Sequence, residues 1–246
     1  MSKERVDVLL VSRGLAESRE RARALILAGR VYRGEQRVEK AGEKLPVDAP
    51  LEVRGELHPY VSRGGVKLEG ALDAFGLDVA GLVAADFGAS TGGFTDCLLQ
   101  RGAAKVYAID VGYGQLHPKL RNDPRVVVME RTNARHLTAE SLPERVDLVV
   151  IDASFIGLEK LLPAARDVLK PGGEILGMVK PQFQVGPERL GKGGVVRDEA
   201  IRAEAIDDVA RDARGLGLEE IARADAPITG PKGNLECFLR LRPSGA

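Results

Sequence analysis

The 246-residue sequence predicts an α/β chain: a Rossmann-like, mostly parallel sheet of seven strands, preceded by a small α+β domain. Three observations predict it. From residue 82 onward, short apolar runs alternate with helical patterns, the rhythm of βαβ units on a parallel sheet. A glycine-rich turn joins the first of those runs to the first helix, where sheets of this kind bind ligands. Residues 1–57 carry their own helix, turn and strand signals and end in a proline-marked exit.

Length and composition narrow the function classes. A chain of this size can bury two cores, one large and one small. Hydrophobic residues make up 44% of it, and no apolar run approaches the ~20 residues that span a bilayer. The opening Met1-Ser2-Lys3-Glu4-Arg5 is charged and has no apolar stretch behind it. That argues against a secretory signal and makes the cytoplasm the expected location. Cys97 and Cys237 are too few and too isolated for a disulfide framework or a metal site, so no metal is expected. Net charge is zero, but residues 1–40 hold ten Lys/Arg against six Asp/Glu, leaving +4 there and −4 elsewhere. Such a local excess suits a phosphate backbone, with a solvated helix face as the competing reading.

In the N-terminal domain Val6, Leu9 and Leu10 share one helical face, and Gly14 stops that helix. Ser18 caps a second helix running to about Ala28, with Ala22, Leu25 and Ile26 as its apolar arc. On that helix Arg19, Arg23 and Arg30 fall within roughly 40° of one another, a basic stripe whose heads can reach phosphates. Gly29 ends the helix, and Val31-Tyr32-Arg33 followed by Gly34 reads as a strand and a turn. Arg5-x-Asp7, Gly14, Ser18-Arg19, Ala22, Ile26, Gly29 and Val31 together resemble the RNA-binding domain named after ribosomal protein S-four, over residues 3–57. The resemblance implies binding of structured RNA, with Arg5, Arg19, Arg23 and Arg30 as candidate contacts.

Pro46, Pro50 and His58-Pro59-Tyr60-Val61 keep the chain extended on the way out, which predicts a linker over 58–63 and a second domain over 64–246. A helix over 66–75 carries Lys67. Strands are expected at 82–87, 106–109, 126–129, 146–151, 174–179, 218–222 and 235–241. Helices are expected at 94–101, 158–169 and 199–216, and a polar, glycine-rich loop over 184–195 is long enough to be a lid.

The first turn, Gly88-Ala89-Ser90-Thr91-Gly92-Gly93, lacks the Gly-x-Gly-x-x-Gly spacing of a dinucleotide site and the Gly-Lys-Ser/Thr ending of a triphosphate site. Asp86-x-Gly88-x-x-x-Gly92-Gly93 instead resembles the first motif of class I methyltransferases. That implies S-adenosylmethionine over the loop and a seven-stranded sheet whose last strand is antiparallel. Asp110, at the end of the second strand, is placed to bond the ribose hydroxyls of such a donor; a turn residue ending a strand is the bland alternative.

Asp152 and Lys180 end neighbouring strands and should both face the site. Lys67, Asp152, Lys180 and Glu236 together resemble the Lys-Asp-Lys-Glu set of ribose 2′-O-methyltransferases similar to FtsJ. A ribose hydroxyl is a poor nucleophile, so an enzyme must align it with the methyl group and help remove its proton. A lysine desolvated beside a second cation gives up its proton more readily, which makes Lys180 beside Lys67 the candidate base, with Asp152 and Glu236 orienting groups. Asp152-Ala153-Ser154-Phe155 matches neither a cysteine nucleophile nor an Asn/Asp-Pro-Pro-aromatic loop, which disfavours methylation of a base. The order of domains, with Ser62-Arg63-Gly64-Gly65-x-Lys67 and Gly93-Phe94-Thr95-Asp96, resembles the TlyA family of bacterial rRNA 2′-O-methyltransferases, sometimes labelled hemolysins. The resemblance implies methylation of a cytidine ribose, ribosomal RNA or a ribosomal subunit as partner, and neither membrane nor DNA. His58-Pro59-Tyr60-Val61 departs from the family's Arg-x-Trp-Val-like segment. A non-enzymatic rRNA-binding or ribosome-assembly factor and a membrane-active hemolysin are the alternatives.

Overall fold

In the computed structural model, which describes residues 3–27, 29–54, 58–230 and 232–245, the chain divides into two units, 1–57 and 58–246. The first unit is organised around one buried charge. Its elements are β1 (Lys3–Arg5), α1 (Val6–Ser12), α2 (Arg19–Leu27), β2 (Val31–Arg33), β3 (Gln36–Arg37), β4 (Lys44–Pro46) and β5 (Leu51–Val53). β1 pairs with β4, and β3-β2-β5 form an antiparallel sheet. Val6, Leu10, Ala22, Ile26 and Val31 make the core. Ser18 Oγ accepts from Arg21 N at 3.1 Å, capping α2. Ala28, the expected end of that helix, lies outside the described residues.

Asp7, on α1, is fully buried. Its carboxylate accepts from Arg5 at 2.9 and 3.0 Å and from Arg19 and Arg23 at 3.2 Å each. A buried carboxylate survives only when paired, and the hydrogen bond from Arg5, with those from Arg19 and Arg23, holds its pKa far below the usual range. The basic stripe is thereby corrected: Arg19 and Arg23 do lie together, about half-exposed, but they also close over Asp7. Arg30 follows the helix end, beyond Gly29 at φ +68°, and does not continue the stripe.

The second unit comprises α3 (Gly64–Phe75), β6 (Val83–Phe87), α4 (Gly93–Gln100), β7 (Lys105–Ile109), α5 (Pro118–Arg121), β8 (Val126–Met129), β9 (Val146–Ile151), α6 (Leu162–Val168), β10 (Leu169–Val179), α7 (Glu199–Gly215), β11 (Leu218–Asp225) and β12 (Cys237–Pro243). Among the described residues the sheet has seven strands in the order β11-β12-β10-β9-β6-β7-β8. β10, β9, β6, β7 and β8 run parallel, and β12 is antiparallel to both its neighbours. Both faces are buried, as parallel strands require: Val149 and Ile151 of β9 enter one core, Leu148 and Val150 the other.

Three expectations change. The helix expected over 158–169 is a 3₁₀ turn, Leu158–Lys160, followed by α6. Pro163 cannot donate into a preceding turn, so it sits at the start of a helix and not inside one. The loop over 184–195 is internally ordered, with a 3₁₀ turn at Pro187–Arg189 and an antiparallel bridge between Gly191 and Val195. The expected linker is drawn into the second unit. Tyr60 is buried and donates to Glu69 Oε1 at 2.6 Å, and Val61 N donates to Asp96 Oδ2 at 2.9 Å.

Candidate active site

At the carboxyl ends of the parallel strands, two local geometries open a cavity. Gly88 has φ +89°, and a Cβ there would lie 2.8 Å from the Asp152 carbonyl oxygen. Only glycine lets the turn after β6 pass so close to the end of β9. Gly92, at φ +97°, backs onto the Leu120 side chain, which a Cβ would overlap. The cavity that results holds about 280 Å³ and is lined by the loop residues Gly88, Ala89, Ser90, Thr91 and Gly93, with Asp86 beneath. Gly92 and Asp110 stand off its wall. Asp110 accepts from Ser90 N at 2.8 Å and Gly112 N at 2.7 Å, which ties the loop to the end of β7.

The four candidate catalytic residues all line this cavity. Lys67 comes from the first turn of α3, and Asp152 and Lys180 follow β9 and β10. Glu236 arrives from the opposite chain direction. β12 is antiparallel to β10 with Cys237 opposite Val179, so its N-terminal end meets the carboxyl end of β10. Lys67 and Glu236 form a buried ion pair. Lys180 Nζ lies 2.5 Å from Asp152 Oδ1 and donates to Ser154 Oγ at 3.0 Å. Asp152 Oδ1 is buried beside that ammonium without an aligned hydrogen bond. Each lysine is therefore partnered by its own carboxylate, where the sequence suggested a lysine acting beside a second cation.

Asp86 is fully buried. Its Oδ2 accepts from Thr95 N at 3.0 Å and Thr95 Oγ1 at 2.7 Å, while Oδ1 has no partner. Burial pushes its carboxyl up to about 7 against the pull of the Thr95 bonds, and the nearby Asp152 and Asp110 carboxylates raise it further. An orphaned acidic oxygen at the base of a glycine-lined cavity fits the cationic, amino-acid end of S-adenosylmethionine. The group also sets a pH dependence. Its unfolded value is about 3.9, so the folded chain holds the extra proton between about pH 4 and 7. Stability from this group is complete below that window and is lost as pH rises through it. Denaturant unfolding should show a loss on the order of 3 kcal/mol between pH 5 and 8 that Asp86→Asn removes. An identical pH slope in the variant would contradict the assignment.

Burial also pushes the Cys97 thiol up to about 12 and the Cys237 thiol to about 11, so neither supplies a thiolate near neutral pH.

Comparison with known proteins decides the family. The FtsJ-like methyltransferase model matches residues 60–242. The chain belongs to the FtsJ-like methyltransferase family. An S4 domain model matches residues 4–49 of the same chain. The 16S/23S rRNA (cytidine-2′-O)-methyltransferase TlyA of Mycobacterium tuberculosis is 52% identical over 97% of this chain and 89% of its own. Hemolysin A of Brachyspira hyodysenteriae is 40% identical over 94% of this chain and 97% of its own. A solved structure named as a hemolysin, from Streptococcus thermophilus, superposes with a TM-score of 0.77 at 42% identity, covering 100% of this chain and 90% of that one. Among the described residues no helix is long and apolar enough to cross a membrane. Like other FtsJ-like methyltransferases, this one uses S-adenosylmethionine as its methyl donor.

The wall of this FtsJ-like cavity also includes Ser62, Arg63, Gly64, Phe94, Ser154 and Thr229, to which the sequence assigns no role. Arg63 donates to the Thr229 carbonyl at 2.9 Å. Phe155, next to Ser154, is 90% exposed with φ +67°, and its ring lies 5.6 Å from that of Phe183. A strained, exposed aromatic side chain is a feature to be explained by function. Position in the Asp-x-Ser-Phe segment was the signal for it, but its exposure follows only from the fold.

Proposed function

We propose that the chain transfers a methyl group from S-adenosylmethionine to the 2′-hydroxyl of a cytidine in ribosomal RNA, acting in the cytoplasm. The observation that carries this reading is the convergence of Lys67, Asp152, Lys180 and Glu236 on the cavity beneath the glycine loop. The name of the Mycobacterium tuberculosis relative, 52% identical, supports the acceptor. When bound, the donor supplies an electrophilic methyl on its sulfonium. Asp86, Asp110 and the loop Gly88–Gly93 would hold it: the loop by backbone approach, Asp86 through its free oxygen, and Asp110 by tying the loop in place. Lys180 takes the hydroxyl proton as a neutral amine, the form reached when its ammonium has lost a proton to solvent, and Asp152 and Ser154 aim its Nζ. The Lys67–Glu236 pair braces the cavity wall, and Phe155 offers a face on which the acceptor's base stacks. Mapping 2′-O-methylated riboses in rRNA from a strain lacking the gene tests the reading. Loss of a cytidine methylation, restored by the purified protein, is the expected result; an unchanged methylation map overturns it.

Arg5, Arg19, Arg23 and Arg30 serve as the RNA contacts of the N-terminal domain. Arg19→Ala with Arg23→Ala should weaken rRNA binding and flatten its salt dependence by about 1.5 in log–log slope, with donor affinity unchanged. The pair of substitutions also strips Asp7 of two partners, so the background Asp7→Asn separates lost contacts from lost stability. An unchanged salt slope in that background would make the stripe purely structural.

A further inference from the structure

The segment that delivers Glu236 to the cavity also carries a rim of unpaired positive charge. In the second unit most arginines around the sheet are neutralised: Arg101 by Asp73, Arg121 by Glu130, Arg223 by Glu220, Arg240 by Glu174. Lys192, Arg197 and Lys232 have no ion pair among the described residues, and all three are exposed. The nearest acids in sequence are engaged elsewhere. Asp198 caps α7 through Ala200 N at 2.8 Å, and Glu199 pairs with Arg202 at 2.9 Å.

The three cations ride on one built structure. Gly194 N donates to the Gly191 carbonyl at 3.0 Å and Gly191 bridges Val195, forming a small hairpin with Lys192 at its tip. Gly193 and Gly194, at φ +83° and +76°, make that turn possible. Asn234, 2% exposed, holds the hairpin in place: its Oδ1 accepts from Val196 N at 2.9 Å and its Nδ2 donates to the Gly194 carbonyl at 3.1 Å. Lys232, two residues before Asn234, has its ammonium beside Gly194. Glu236, two residues after Asn234, enters the cavity wall.

We propose that Lys192, Arg197 and Lys232 form a phosphate-binding clamp on the methyltransferase unit, gripping the RNA backbone next to the nucleotide being methylated. An RNA strand whose ribose reaches Lys180 carries phosphates on either side of it, and a pinned hairpin with solvated cations meets them without paying for desolvation of existing ion pairs. The buried amide of Asn234 couples the clamp to the segment bearing Glu236, so that backbone binding and the cavity share one rigid element. This inference rests on the RNA-methyltransferase reading.

The test measures binding of in-vitro-transcribed 16S and 23S rRNA to the full chain across a salt series. Lys192→Gln/Arg197→Gln/Lys232→Gln should bind about tenfold or more weakly near 100 mM salt, with a log–log slope shallower by about 2. Its donor affinity and thermal midpoint should match the wild type, and Lys192→Arg/Lys232→Arg should bind normally. Equal affinity and slope for wild type and the triple Gln variant would overturn the clamp while leaving the proposed function standing. Failure of the wild type to bind either RNA in a salt-dependent way would overturn both.

Discussion

Replacing Lys180 by alanine is expected to lower methyl transfer to rRNA by about 10²–10⁴-fold while leaving S-adenosylmethionine affinity nearly intact. The reasoning is geometric. Lys180 is 8% exposed, its Nζ is held by Asp152 and Ser154, and it lines the cavity from the end of β10, outside the glycine loop. Donor contacts made by the loop backbone and Asp86 therefore survive its loss, whereas a proton acceptor for the ribose hydroxyl does not. Asp152 keeps partial solvent access, which limits the stability cost of leaving it unpaired. Single-turnover transfer with saturating donor, alongside calorimetric donor binding, separates the two effects. Wild-type turnover by Lys180→Ala would remove it from the role of base. A parallel fall in donor affinity would instead place it in the donor site.

Glu236→Ala should act first on stability. Lys67 and Glu236 are 7% and 1% exposed and pair only with each other among the described residues, so removing the acid leaves an ammonium in a wall with little water. Breaking a buried pair from one side costs about 3–5 kcal/mol. Glu236 packs against the backbone of Gly230, where a Cβ would lie 2.7 Å from its Oε1. Lys67→Met with Glu236→Leu removes both charges and should recover most of that loss while remaining inactive. Urea unfolding of the single and double variants reads the difference. A mild single variant, or an active double variant, would mean that the pair is neither buried in solution nor needed for chemistry.

The two domains, the βαβ rhythm and the donor loop were legible in the sequence because each is a local pattern. Short apolar runs, a glycine turn of specific spacing and capping residues such as Ser18 depend on neighbours a few positions away. Where local pattern misled, a local chemical fact had been underweighted: Pro163 divides the helix expected over 158–169, and Gly191–Val195 closes a bridge inside what read as an open loop. The linker misread has a different cause. His58-Pro59 marks an extended chain correctly, but whether an extended chain is free or packed depends on a partner far away in sequence, here Asp96 on α4 and Glu69 on α3.

By itself, then, the sequence determined the fold class, the family and the methyl donor, and it singled out the glycine loop and Lys67, Asp152, Lys180 and Glu236 as candidates. Only the tertiary structure decided how those four combine. Asp152 and Lys180 meet because β9 and β10 are parallel neighbours, and Glu236 joins them because β12 inserts antiparallel beside β10. The pairing of each lysine with its own carboxylate, the closure of Arg19 and Arg23 over Asp7, and the free cations beside Asn234 likewise follow from contacts between residues remote in the chain. Residue type states what a group can do; burial and the charge beside it decide which state it occupies.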